Sequence, residues 1–438
     1  MLMKFNKSSQ LLLVSAASLM AAGIVTACGT LTTDFVFVTS SKAAGPNNYG
    51  QIDVFEINKQ SGYMRNIPTS PFPSGGRNPV AEAVSTDQYN LYVVNEDDNS
   101  IVQFAIGNDG KVYPQNTYNT PGIFPMAVAV SGTTLFVADT YQPLPVCSNA
   151  APCSGSIAVF PIIVGSGSPP SDTLQPNTPI NACNGAYYVP LGLTGPAAND
   201  IVQPTAIHVL ADGKNLFVSA LDTTANTGYV FGFAIGTLSC PNNAKPYQTI
   251  ATLTALAGSP FAAGTHPSAI ASDPSNSYVY VTDAINADVL GYSVASSTSI
   301  NPGSLAPLTS GNNGTNQFTA GNQPSAIVAD PVYPYIYVAN SEDSTVTAYS
   351  MSSGALTSLG NYATGLQPVA LGIDPSTSHF LYTANFLGNG TNGTVSGFEL
   401  SPTAGTLINS EDSPFTSNAQ PTAVVAIPHN TAKTGSTP

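Results

Sequence analysis

The strongest constraint on this chain is repetition: three short patterns recur in fixed order, seven times each. The first is Pro-x-Ala leading into apolar residues, at Pro79-Val80-Ala81, Pro125-Met126-Ala127, Pro204-Thr205-Ala206, Pro267-Ser268-Ala269, Pro324-Ser325-Ala326, Pro368-Val369-Ala370 and Pro421-Thr422-Ala423. The second is an apolar strand ending in a small polar residue, as in Leu91-Tyr92-Val93-Val94-Asn95 and Val279-Tyr280-Val281-Thr282-Asp283. The third alternates apolar with small or polar residues, as in Val346-Thr347-Ala348-Tyr349. We name them strands a, b and c, and expect a weaker strand d before the next Pro. One four-stranded sheet cannot cover both of its faces, but sheets stacked radially cover one another, so the repeat predicts an all-β propeller of seven blades.

The ends of the chain predict how the ring closes. The first copy begins at strand b, Phe35-Val36-Phe37-Val38-Thr39, with no Pro-x-Ala before it. The last copy is a lone strand a, Pro421 to Ile427. Pairing the two completes one blade, whereas an open solenoid would need polar caps at both ends. The propeller is therefore expected over 34–428, followed by a tail at 429–438.

Composition excludes one class of partner. Lys and Arg number 10 against 24 Asp and Glu, a formal net charge of −14. Only Arg65 and Arg77 are arginines. No basic stripe for nucleic acid can be built from these residues.

The N-terminus reads as an address. Lys4 and Lys7 precede an apolar run from Leu11 to Val25 that is short for a membrane span. It ends in Val25-Thr26-Ala27-Cys28, which resembles the bacterial lipobox. That resemblance implies a signal peptide over 1–27, diacylation of Cys28, a linker over 28–33 and membrane attachment by lipid alone at the cell envelope, facing the periplasm or the surface. Four cysteines then remain, and four allow three pairings. Cys147 with Cys153, around a small loop, is favoured, leaving Cys183 with Cys240; a zinc site lacks CxxC spacing and a nearby His.

Strand direction brings the residues before each Pro and those after each strand b to one mouth. The first set is Asn78, Phe124, Gln203, His266, Gln323, Gln367 and Gln420. The second includes Asn95, Glu96, Asp97, Asp139, Asp283, Asn340, Glu342 and Asn385. Such a mouth is amide-rich and acidic. Calcium is the cation its oxygens would accept, although Asp97-Asp98-Asn99 also makes a plain turn.

Leu91 to Val102 (LYVVNEDDNSIV) and Ile336 to Val346 (IYVANSEDSTV) resemble the YVTN repeats of bacterial surface propellers and the seven-bladed, 6-phosphogluconolactonase-like lactonase family. The resemblance covers about 34 to 428 and implies the propeller fold. It implies lactone chemistry as well, with Glu96 matching the acidic position of an Asn-Glu-x-x-Ser turn. Lactone hydrolysis needs a base for water or a cation for the oxyanion, and Arg77, Glu82, Glu96 and His266 are the candidates. The family carries Arg and His around a Gly-x-x-Pro turn, where this chain repeats Gln-Pro-x-Ala and places Arg77 before Pro79. His208, in Ile207-His208-Val209, reads as a core residue.

Two functions follow. One is a monomeric envelope scaffold presenting the propeller faces, and the span from Tyr141 to Asn199, to a protein or glycan. The other is a hydrolase of neutral lactones at the mouth. An anionic phosphorylated lactone suits neither the acidic balance nor an exported protein.

Overall fold

The computed structural model describes residues 32–41, 48–143, 147, 153–165, 172–174, 188–242, 245–375, 379–388 and 392–429. The expected signal peptide, Cys28, Cys183 and the tail beyond 429 lie outside them, and the side chain of Cys240 is likewise not described. Seven antiparallel sheets form the ring, each with the order a-b-c-d from the axis outward. Blade 2 shows the unit: Pro79–Val84, Asn90–Asn95, Ser100–Ile106 and Val112–Asn119. The inner strands of blades 3 to 7 are Ile123–Ser131, Val202–Val209, Pro267–Ser272, Pro324–Ala329 and Pro368–Ile373. Blade 1 joins both ends, with Pro421–Pro428 as strand a and Thr32–Ser40 as strand b. Phe35 pairs Ile427 and Val38 pairs Val424, which is the predicted closure. Strand b starts earlier than expected, because Thr32 already pairs with Asn58 of strand c (Gln51–Asn58).

Strand b is apolar on both faces because both faces are covered by neighbouring blades. Leu91, Tyr92, Val93 and Val94 are all 0 % exposed, as are their counterparts Ile336 to Val338. Seven apolar clusters fill the seven seams, including Phe35, Phe37, Leu91 and Val93 between blades 1 and 2, and Val36, Phe55, Phe380 and Tyr382 between blades 7 and 1. The closing seam is filled like the others. Each such side chain contributes about 1.5–3 kcal/mol on burial, so no seam can open cheaply.

Pro-x-Ala has a mechanical reason. Pro79 pairs Asn95 while Ala81 pairs Val94, so the middle residue is bulged out of the ladder. The same shift recurs in the other blades. Pro cannot donate to the ladder and starts the bulge; the bulge re-aims the middle side chain. Where that residue carries a hydroxyl it can bond the Pro carbonyl of the next blade: Ser268 to Pro324 at 2.5 Å, Ser325 to Pro368 at 2.7 Å and Thr422 to Pro79 at 2.8 Å.

The span from Tyr141 to Asn199 is not a single surface insertion. It contains strands c and d of blade 3 itself, Ser156–Ile163 and Thr173–Leu174. The apolar run Ile157 to Phe160 closes against strand b (Thr134–Tyr141) and so belongs to the core of the blade. Cys147 and Cys153 are disulfide-bonded, as expected, with Cα atoms 5.4 Å apart.

Candidate functional site

Five of the seven mouth turns are Gly-x-x-Pro, each with a buried side and an exposed side; Arg77 and His266 stand inside two of them, which corrects the expected departure from the family's turn. On the buried side, the Asx ending strand b packs against the Gly. A Cβ on Gly76, Gly122, Gly264, Gly321 or Gly365 would collide with Asn95, Asp139, Asp283, Asn340 or Asn385 respectively. All five Asx residues are 0 % exposed. Asp283 accepts from the backbone N–H of Thr265 at 2.6 Å, His266 at 3.1 Å and Ile285 at 3.1 Å. Asn340 accepts from Gly321 N–H at 3.0 Å, and Asp139 from Gly122 N–H at 3.2 Å. Asp139, Asp283 and Asn340 thus bond turn amides from beneath, as Asn and Asp at strand ends usually do, while Asn95 and Asn385 pack under their turns without bonding them. Burial pushes the Asp139 carboxyl up to about 8, against the opposing pull of Gly122 N–H and the Thr120 hydroxyl.

The closing blade uses a different residue for the same task. Its strand b ends in Ser40, and the turn before Pro421 is held by Asp53 from strand c. Asp53 accepts from Ser417 Oγ at 2.8 Å, Asn418 Nδ2 at 3.0 Å and Gln51 Nε2 at 3.1 Å.

On the exposed side stand the residues that precede Pro. Asn78, Phe124, Gln323 and Gln367 have φ of 50°, 56°, 50° and 55°, a left-handed conformation that is costly for a non-glycine residue. The turn is fixed from below, so the outward direction of these side chains is fixed too.

The four residues chosen for chemistry do not converge. Arg77 is exposed and committed to Asp98: its Nε donates at 2.7 Å, Nη2 lies 2.6 Å away, and its backbone N–H reaches the second carboxylate oxygen at 2.7 Å. Glu96 lies beside it and accepts from Asn78 Nδ2 at 2.8 Å. Burial raises the Glu96 carboxyl, the Asp97 charge adds to this, and the Asn78 bond opposes it. Arg77, with Asp98, borders a polar cleft of about 730 Å³ lined by Tyr49, Ser100, Thr117 and Asn119, and Glu96 is not part of its lining. Glu82 instead lies down strand a and faces blade 1, where it accepts from the Thr39 hydroxyl. Its Oε1 is shielded and has no hydrogen-bond partner, and burial pushes the carboxyl up to about 8. His266 sits on blade 5, its backbone held by Asp283 and its Nδ1 buried with no hydrogen-bond partner. Among the described residues no cluster of three or more His, Cys, Asp or Glu could hold a metal ion.

Glu82 stands out against its own repeat. The residue three after Pro is Val128, Ile207, Ile270, Ile327, Leu371 or Val424 in the other six blades. A carboxyl there replaces an aliphatic side chain in the seam. His208 is comparable: it bonds Ser272 Oγ at 2.8 Å, and burial lowers its pKa to about 4, which agrees with its reading as a satisfied core residue.

Phe124, Tyr141 and Gln203 form an aromatic corner that no single repeat contains. Phe124 is 38 % exposed and meets Tyr141 edge to face with ring centroids 6.2 Å apart. Gln203 Nε2 donates to Tyr141 Oη at 3.0 Å, joining blades 3 and 4. The available signal was that Phe124 is the one aromatic among the seven pre-Pro residues.

With fold and mouth described, comparison with known proteins decides the family. The lactonase family of seven-bladed β-propellers matches residues 36–175 and 246–426. The chain belongs to that family. The unmatched interval covers the end of the blade 3 span and most of blade 4, whose strands c and d, Thr227–Asn242 and Lys245–Ala255, are the longest in this lactonase-family ring. No curated protein matches the chain. Among solved structures it is similar to a candidate 6-phosphogluconolactonase from Bacteroides fragilis, at 20 % identity over 90 % of this chain and 98 % of that one, with a TM-score of 0.66. It is also similar to a periplasmic gluconolactonase from Pseudomonas aeruginosa, at 17 % identity over 90 % and 99 %, TM-score 0.62. At these identities the likeness establishes the fold alone.

Proposed function

We propose that this lactonase-family propeller is an exported, lipid-anchored binding protein whose mouth holds a neutral polar ligand, a glycan or an envelope protein surface, without turning it over. One observation carries the reading: the four charged candidates do not meet, since Arg77 and Glu96 share the blade 2 turn while Glu82 and His266 lie elsewhere. Arg77 is neutralised by Asp98, Glu96 is tied to Asn78, Glu82 faces a seam, and His266 lies on blade 5. Acid–base hydrolysis needs its groups within reach of one reacting atom. A pre-set array of amides needs no such convergence to bind, because each side chain offers a donor and an acceptor already oriented. The test is capture of envelope glycans and proteins by the full chain on beads, with Arg77→Ala and Phe124→Ala chains alongside. Retention of a partner by the parent chain, reduced by either substitution, supports binding at the mouth; equal retention by all three sinks it. Acylation of Cys28 is tested by palmitate labelling, which Cys28→Ala should abolish.

Hydrolysis of a neutral lactone is the second reading. It is favoured by Glu82, whose carboxyl keeps its proton up to about 8 and so remains an acid at neutral pH. The description of one similar structure as a periplasmic gluconolactonase also favours it. Neutral sugar and acyl lactones followed by pH-stat decide this. Turnover lost in Glu96→Gln and in Arg77→Ala would establish it, and no turnover above the buffer rate eliminates it.

A further inference from the structure

We infer that the Phe124–Tyr141–Gln203 corner is a stacking subsite for a neutral saccharide ring. The inference rests on the binding reading above and names its ligand class.

The first argument is conformational. Phe124 is a bulky residue held at φ 56° directly before Pro125, where a left-handed backbone is strained. Neighbours on two blades impose this. Asn99 Oδ1, from blade 2, accepts its N–H at 2.6 Å, and Thr140 Oγ1 donates to its carbonyl at 2.8 Å. The backbone is clamped while the ring, 38 % exposed, projects at the mouth. A ring wanted only for packing would not need that position, since the other six blades close the same turn with an amide or His.

The second argument is chemical. An exposed aromatic face binds the C–H face of a pyranose, and neighbouring amides and a phenol pair with its hydroxyls. Gln203 bonds Tyr141 at 3.0 Å, which orients both polar ends before any ligand arrives. The net charge of −14 disfavours an anionic sugar.

The experiment is calorimetry with the full chain and three probes at one ionic strength: cellotetraose, chitotetraose and the anionic tetragalacturonate. At least one neutral tetrasaccharide should bind and tetragalacturonate should not. Phe124→Ala should weaken binding about tenfold, and Gln203→Ala about threefold. Phe124→Trp should keep it, and since the chain has no other Trp its emission should shift to the blue on binding. Because Phe124 is exposed, circular dichroism of Phe124→Ala should match the parent; if it does not, the Trp emission and Gln203→Ala carry the test. Binding unchanged in Phe124→Ala but lost in Arg77→Ala overturns this subsite and leaves the binding reading standing. Capture of a protein partner with no response to either neutral sugar also overturns it.

Discussion

The two sides of one mouth turn differ more than two distant parts of the propeller. At the blade 5 turn, Asp283 is 0 % exposed and its carboxylate gathers four backbone N–H groups, while His266, two residues along from Gly264, stands on the outer side. At the blade 3 turn, Asp139 is buried below Gly122 while Phe124 projects above. The buried member braces the turn; the member above it is then presented at a fixed angle. Residues that look chemically active in sequence, the Asp and Asn ending strand b, lie buried beneath the turns, and the quieter amides and Phe124 stand on the side where we propose that a ligand binds.

The largest expected effect breaks the comparison outright if it fails. Asp283→Ala removes the acceptor of four backbone N–H groups and leaves a cavity beneath the turn, and should cost about 3 kcal/mol in urea unfolding, whereas His266→Ala in the same turn should cost less than about 1 kcal/mol. Equal losses would show that the two sides are not distinct. Next, Asp53→Ala removes the latch of the closing blade, at about 2–3 kcal/mol. Hydrogen exchange should then rise first in Thr32–Ser40 and Pro421–Pro428, not evenly around the ring.

A pH titration sharpens the contrast further. Asp34, Glu82 and Asp139 are each raised to about 8, mainly by burial. Unfolded, they would lose their protons in the ordinary carboxylate range, so the folded chain holds more protons between there and about 8. Their contribution is full at the acid end and is lost as pH rises to about 8. The melting temperature should therefore fall by several degrees between pH 5 and pH 9 by differential scanning fluorimetry, and Glu82→Gln should flatten that fall. A flat profile in the parent chain would mean these carboxyls are hydrated. The smallest effect is Arg77→Ala: its pair with Asp98 is exposed, so the urea midpoint should not move measurably.

Much of this was legible from local pattern, and the illegible parts share a cause. Blade count and closure followed from the copies at Phe35 and Pro421, since a repeat that cannot bury itself must stack. Placement of the pre-Pro residues on one face followed from strand alternation. That Asn and Asp cap strand ends was also legible, but which amides each one reaches was not, because an Asp looks the same whether it points at solvent or at Thr265 N–H. The hydroxyls at Ser268, Ser325 and Thr422 looked variable for a similar reason: their partners are carbonyls in the next blade. Thr39 opposite Glu82, and Gln203 opposite Tyr141, are contacts between blades that no single copy contains.

By itself, then, the sequence determined the seven-bladed ring, its closing pair and the face on which the mouth opens, because these depend on period, polarity and chain direction. Which mouth residues are buried and which face outward was decided only by the tertiary structure. The bulge at Pro-x-Ala and the fit of each Asx beneath its glycine set those directions, and both depend on the sheets being stacked.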